Sequence, residues 1–180
     1  MSLLWMDGFD DGFALNQKYV LNGAPTVGTA RNGSGFVSTS DQAAVVRALG
    51  ANKSTIIVGC AIATNAINYW YLHDWGIIAG FVGTNGQWTI RVNTSTFLLE
   101  ARRGGSSGTL LATGTHVLPA DGTFNYIEVK VVCSTTSDGS IEVRLNGAVE
   151  FTFSGQTCGS YSYVDTIRLQ GQIKIDDVYI

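Results

Sequence analysis

The chain has 180 residues, of which 45% are hydrophobic and only 14% charged, with 22 glycines against 2 prolines and a formal net charge of −3. That length suits one domain around one core, and the composition excludes a disordered or solvating chain. The 11 Lys and Arg residues are scattered, which excludes the basic footprint of a nucleic-acid-binding protein.

Read in chain order, the sequence is strand after strand. The opening "MSLLWMDGFDDG" has no basic n-region and meets an acid at Asp7, so it does not read as a secretory signal, and the expected place of synthesis and residence is a cytoplasm. A strand over 2–6 runs straight into Asp7, Asp10 and Asp11. Further strands are predicted over 17–21, 35–39 and 43–49; "DQAAVVRALG" could hold a helical turn, but its Val45 and Val46 suit a strand equally. The strand over 54–64 contains the longest apolar run, far short of the ~20 residues that cross a bilayer, so no membrane is implied.

Strands at 68–73 and 76–82 flank "INYWYLHDWG". Alternation sends Tyr69 and Tyr71 to one face and Trp70 to the other, so half of these rings belong to the core. The remainder, with His73, Asp74 and Trp75, form a candidate patch for stacking on a sugar or touching another subunit. "QWTIRVN" (87–93) sets Trp88, Ile90 and Val92 against Gln87, Thr89, Arg91 and Asn93, the pattern of a half-buried strand. Strands follow at 96–102, 109–113, 115–118, 124–133, 140–145, 148–153, 164–169 and 172–180. "RRGGSSGT" reads as a hairpin loop, and Asn146-Gly147 as a two-residue turn between adjacent antiparallel strands. This many short strands, without a long helix or a linker, call for two packed antiparallel sheets in a single domain over 1–180.

Chemistry is sparse. Cys60, Cys133 and Cys158 are odd in number and show neither CxxC nor His/Cys spacing, so they are read as free thiols, with no zinc site. Asn32, Asn52 and Asn93 open N-x-S/T triplets that mean nothing without export. Glu100, Glu128, Glu142 and Glu150 each sit between apolar neighbours, as solvent-face strand residues do, and none forms a glycosidase-like pair of facing carboxylates. "GGSSG" matches G-x-S-x-G but lacks the following helix, and His73 and His116 have no motif linking them to it. The reading is therefore a protein that is not an enzyme.

The stretch "FNYIEVKVVCSTTSDGSIEVRLNGAVEFTFSG…VDTIRLQGQIKIDDVYI" resembles the closing half of concanavalin A-like, laminin G-like jelly rolls, and the "DGFDD" opening is similar to the version found in virion proteins of tailed bacteriophages. The resemblance covers residues 1–13 and 124–180. It implies an all-β antiparallel two-sheet jelly-roll sandwich whose first and last strands lie side by side, bringing Asp7, Asp10 and Asp11 towards Asp176 and Asp177. Two readings of these carboxylates compete: a structural calcium site, or strand ends and a bulge that accept backbone N–H groups and deter edge pairing. The apolar face switches from Ile173 and Ile175 to Val178 and Ile180 across the Asp pair, which favours the bulge. For function the resemblance implies an accessory virion structural protein located in the virion, a capsid decoration or cement subunit or a tail-associated component, assembled as a homo-oligomer with other virion proteins as partners. The alternative is a carbohydrate-binding, lectin-like module with a glycan as partner. No cofactor beyond structural calcium is expected.

Overall fold

A computed structural model of the chain describes residues 3–9, 18–22, 26–29, 31, 34–37, 44–65, 77–171 and 173–180. In chain order its strands are β1 (Met6–Asp7), β2 (Val20–Asn22), β3 (Thr26–Thr29), β4 (Ser34–Val37), β5 (Ala44–Lys53), β6 (Thr55–Asn65), β7 (Ile78–Val82) and β8 (Asn85–Val92). They continue with β9 (Leu99–Arg103), β10 (Thr109–Thr113), β11 (Asp121–Val132), β12 (Gly139–Leu145), β13 (Ala148–Gly155), β14 (Val164–Gln170) and β15 (Ile173–Tyr179). An eight-stranded sheet runs β13-β12-β11-β6-β15-β4-β3 with β1 also on β15, and a seven-stranded sheet runs β10-β9-β8-β7-β14-β5-β2. All pairings are antiparallel, and the chain changes sheet after β1, β2, β4, β5, β6, β10, β13 and β14. This is the expected all-β jelly-roll sandwich.

The alternating residues fill the space between the sheets. Val58, Cys60 and Ile62 of β6, Ile127, Val129 and Val131 of β11 and Ile175 of β15 meet Trp88 and Ile90 of β8, Leu99 of β9 and Ile167 of β14 in one core. The Trp88 ring lies over Gly80, where a side chain would overlap it. Asn146 and Gly147 both take positive φ (51° and 85°), which only such residues do cheaply, and the turn folds β13 back on β12 as predicted.

The ends of the chain meet: Met6 pairs with Tyr179 and Asp7 with Val178, while the Leu4 and Trp5 N–H groups donate to the Ile180 carbonyl. The β15 register against β6 slips between Asp176 and Tyr179, and Asp177 sits at φ 49°. One extra residue there carries the apolar face from Ile175 to Val178, as the sequence parity requires.

Four local expectations change. Residues 115–118 form no strand, because the Thr115 and His116 N–H groups donate to the Glu150 carboxylate and that of Leu118 to the Phe97 carbonyl. The short β3, "TVGT", carries no alternating signal. β8 is buried on both faces, not half-buried: Gln87, Thr89 and Arg91 are covered as fully as Trp88 and Ile90. Glu100 and Glu150 are likewise not solvent-face residues, since each carboxylate is buried against specific donors. The segment 68–73 lies outside the described residues.

Candidate functional site

Among the residues singled out from the sequence, Asp10 and Asp11 and the whole patch Tyr69, Trp70, Tyr71, His73, Asp74 and Trp75 lie outside the described residues. Asp7, Asp176 and Asp177 do come together, where β1 pairs with β15. Asp7 is buried; its Oδ1 accepts from the Phe9 N–H (2.8 Å) and the Lys18 ammonium (2.8 Å), and its Oδ2 from the Tyr19 hydroxyl (3.1 Å). Asp176, also buried, accepts from the Asp177 N–H at 2.9 Å and the Arg31 N–H at 3.2 Å, and Asp177 pairs with the Arg31 guanidinium at 3.2 Å. These contacts are those of a strand end and a bulge held by local donors, and among the described residues no group of three or more His, Cys, Asp or Glu is arranged to hold a metal ion.

The outer face of the seven-stranded sheet is a neutralised charge cluster. Glu100 accepts from Arg91 (2.8 Å), Arg102 (2.9 Å) and Asn93 (2.7 Å). Burial pushes its carboxyl up, but the bonds from Asn93, Arg91 and Arg102 outweigh it and hold the group below its ordinary value. Nearby, the Arg168 guanidinium lies 4.4 Å over the Phe81 ring, with its Nε buried and without a hydrogen-bond partner. Two arginines around one buried carboxylate fix structure, because removing any partner leaves a charge unpaired.

The outer face of the eight-stranded sheet is different, and sequence reasoning missed it. Strand register lines up Met6, Tyr179, Gly59, Glu128, Arg144 and Val149 as one row across six strands. Gly59 is the low point. A Cβ there would overlap the Tyr179 ring and lie 2.9 Å from the Tyr126 hydroxyl, so the missing side chain is what lets both rings reach the sheet. The Tyr126 and Tyr179 rings have centroids 6.4 Å apart and planes only 23° from parallel, forming a continuous aromatic floor. Polar groups converge on it. The Tyr179 hydroxyl donates to Glu128, and Arg144 lies 2.7 Å from Glu142 and 3.9 Å from Glu128. The Glu128 and Arg144 side chains remain 35% and 41% exposed, so both can reach a ligand.

Burial, followed by the bond to Glu128, raises the Tyr179 phenol above its ordinary value, and burial likewise raises Tyr126. Both stay neutral, so the floor offers hydroxyl donors and ring faces, not phenolate nucleophiles. Beside it opens a cleft of about 420 Å³ whose walls include Leu3, Leu4, Lys53, Ile57, Glu128 and Tyr179. An apolar concavity of this size with a few converging polar groups is the usual form of a small-ligand site. The one signal available in sequence was alternation, which places Tyr126, Glu128 and Tyr179 on outward positions; nothing in it joins residues 53 positions apart.

No family model matches the chain, and no curated protein matches it in sequence. Solved structures do share its shape. An endo-β-1,4-glucuronan lyase from the fungus Trichoderma reesei superposes with a TM-score of 0.67 at 10% identity, over 99% of this chain and 94% of that one. Domain 4 of AbnA, a GH43 extracellular arabinanase from Geobacillus stearothermophilus, in complex with arabinotriose, gives 0.62 at 13% identity over 99% and 92%. The carbohydrate-binding module CBM66 from Bacillus subtilis gives 0.54 at 10% over 89% and 93%. The likeness is one of fold. At these identities it carries no residue across.

Proposed function

We propose that the chain is a non-catalytic carbohydrate-binding module that takes a glycan on the outer face of its eight-stranded sheet. The observation that carries this reading is the paired Tyr126 and Tyr179 floor over Gly59, rimmed by Glu128 and Arg144 and opening into the cleft. A sugar ring has an apolar C–H face that stacks on an aromatic ring, and hydroxyls at its edge that hydrogen-bond a carboxylate and a guanidinium. The fold likeness supports the reading, since one neighbour is a carbohydrate-binding module by name and another holds arabinotriose. The lyase among the neighbours keeps catalysis in view. Against it, both tyrosines are held protonated, and Glu128 and Glu142 both lean on Arg144. The virion assignment has only the sequence resemblance behind it.

The test is a glycan array followed by calorimetric titration of the best ligands. Binding that Tyr179→Ala weakens at least tenfold, with no product released from the bound polysaccharide, is the expected result. Absence of binding to neutral and uronic glycans alike, or affinity unchanged by Tyr179→Ala, would sink the proposal.

A further inference from the structure

The three cysteines differ sharply in their surroundings. Cys60 is alone in the core, and burial pushes its thiol up to about 12. Cys133 directly follows β11 and Cys158 follows β13, and the backbone between them is stitched tightly. The Thr157 and Cys158 N–H groups donate to the Ser134 carbonyl at 3.1 and 2.9 Å, and the Ser134 N–H donates to Thr157 Oγ1 at 2.9 Å. The Thr157 hydroxyl in turn donates to the Val132 carbonyl at 2.8 Å, and Cys133 is anchored by its N–H to the Ser54 carbonyl at 2.7 Å. This stitching brings the two buried cysteines side by side. The Trp88 indole sits at the same point, its buried N–H without a hydrogen-bond partner and the Cys133 sulfur beside it.

We propose that Cys133 and Cys158 are a disulfide-forming pair, which an oxidising thiol–disulfide couple converts into a bond closing the base of the β12–β13 edge hairpin. The hairpin between them carries Glu142 and Arg144, so the bond staples the rim of the aromatic floor to the sheet. Cys158 is the attacking group. The hydrogen bond from Cys133 holds its thiol below the ordinary value, while Cys133, donating that bond and buried, is held above. The Cys158 thiolate attacks one sulfur of a small-molecule disulfide such as oxidised glutathione, forming a mixed disulfide and releasing one glutathione thiolate. Cys133 then gives its proton to water and displaces the second glutathione thiolate, so two protein thiols become one disulfide as one small disulfide is reduced to two thiols. Entry requires the loop after β13 to open, and its Gly159, Ser160 and Tyr161 are exposed.

The experiment incubates the full chain in glutathione redox buffers and counts thiols after unfolding. The titre should fall from three to one, with a peptide map joining Cys133 to Cys158, quenched Trp88 emission and a melting temperature higher by on the order of 10 °C, all reversed by dithiothreitol. Cys60→Ser should lose two thiols in the same way, and Cys158→Ser should form no intramolecular bond. A titre that stays at three, a link between other cysteines, or glutathione adducts without ring closure would overturn the proposal, whatever becomes of the glycan reading.

Discussion

Gly59→Ala isolates the aromatic floor from everything else in the fold. The position lies inside β6 with no positive φ, so its backbone accepts alanine, and an alanine in a strand interior ordinarily gains about 0.5–1 kcal/mol over glycine. Here the sign reverses. The new methyl group would occupy the space of the Tyr179 ring, whose atoms are the nearest neighbours of a Cβ at that position. If the ring stays, the site is overpacked, at about 1–3 kcal/mol. If it swings out, the Tyr179 to Glu128 hydrogen bond goes, at about 1.5–3 kcal/mol because the acceptor is charged, with a further ~0.5–1.5 kcal/mol for the ring pair. Net of the alanine gain, overpacking leaves a loss of up to about 2.5 kcal/mol and ring expulsion one of about 1–4 kcal/mol, which for a chain of this size lowers the melting temperature by up to about 16 °C. Glycan affinity should fall at least tenfold, because both ring faces move. Calorimetric melting and titration of the same preparation read the two effects together. A Gly59→Ala protein that melts at or above the parent temperature and binds as tightly would refute both the ring placement and the site built on it.

Glu150 has a side chain only 1% exposed and is tied to the Thr115 and His116 N–H groups. Burial works to raise its carboxyl, but those bonds from His116 and Thr115 prevail and set it below the ordinary 4.5. Its contribution is therefore present above the unfolded value and lost as pH falls through the lower folded one, and Glu150→Gln, costing about 1–3 kcal/mol at pH 7, should flatten the acid limb of a stability–pH curve. Glu100→Gln leaves Arg91 and Arg102 facing each other without their shared anion, so urea melts should show a loss of about 3–5 kcal/mol, and a loss under 1 kcal/mol would contradict the buried cluster. Asp7→Ala strips acceptors from Phe9, Lys18 and Tyr19 and should cost about 2–4 kcal/mol equally in calcium and in chelator; a parent protein whose melting temperature falls on adding chelator would instead reveal a cation among the carboxylates.

The strands were legible because each buries one face, and a period of two survives in "YIEVKVV" and "SIEVRL" whatever covers the other side. That same limit explains β8. Alternation marks Gln87, Thr89 and Arg91 as the polar face but does not say that the polar face is itself covered, with Gln87 accepting from the Ser160 and Tyr161 N–H groups and Arg91 locked on Glu100. The 115–118 segment misled for a related reason: Leu118 is buried as a strand residue would be, yet the segment's N–H groups go to the Glu150 carboxylate and the Phe97 carbonyl, not to a ladder. The floor was illegible because Tyr126 and Tyr179 meet only through β6, and a glycine in that strand reads as a weak position until its two neighbours are known.

The two carboxylates near the C-terminus connect the fold to the site. From Asp176 opposite Ala61 to Tyr179 opposite Gly59, β15 advances three residues while β6 advances two, so one residue is extra. Asp177 takes it up at φ 49°, a conformation that Asp tolerates and β-branched residues do not. Were the same residues paired regularly, with no bulge, the parity of Ile173 and Ile175 would continue through Asp177, turning Tyr179 into the core and Val178 out onto the face where the floor now lies. The bulge, then, is what aims Tyr179 outward. Asp177→Gly keeps the left-handed conformation and loses only the exposed pair with Arg31, so stability should change by less than about 1 kcal/mol and glycan binding should persist. Asp177→Val must strain its backbone by about 1–3 kcal/mol or abandon the bulge. Deletion of Asp177 removes the extra residue and leaves a regular ladder in which Val178 falls opposite Cys60 and Tyr179 opposite Gly59, so Val178 and Ile180 stay inside, Tyr179 stays outside, and cooperative melting and glycan binding should both persist. A deletion variant that melts cooperatively but no longer binds glycan would refute this account of how Tyr179 is aimed.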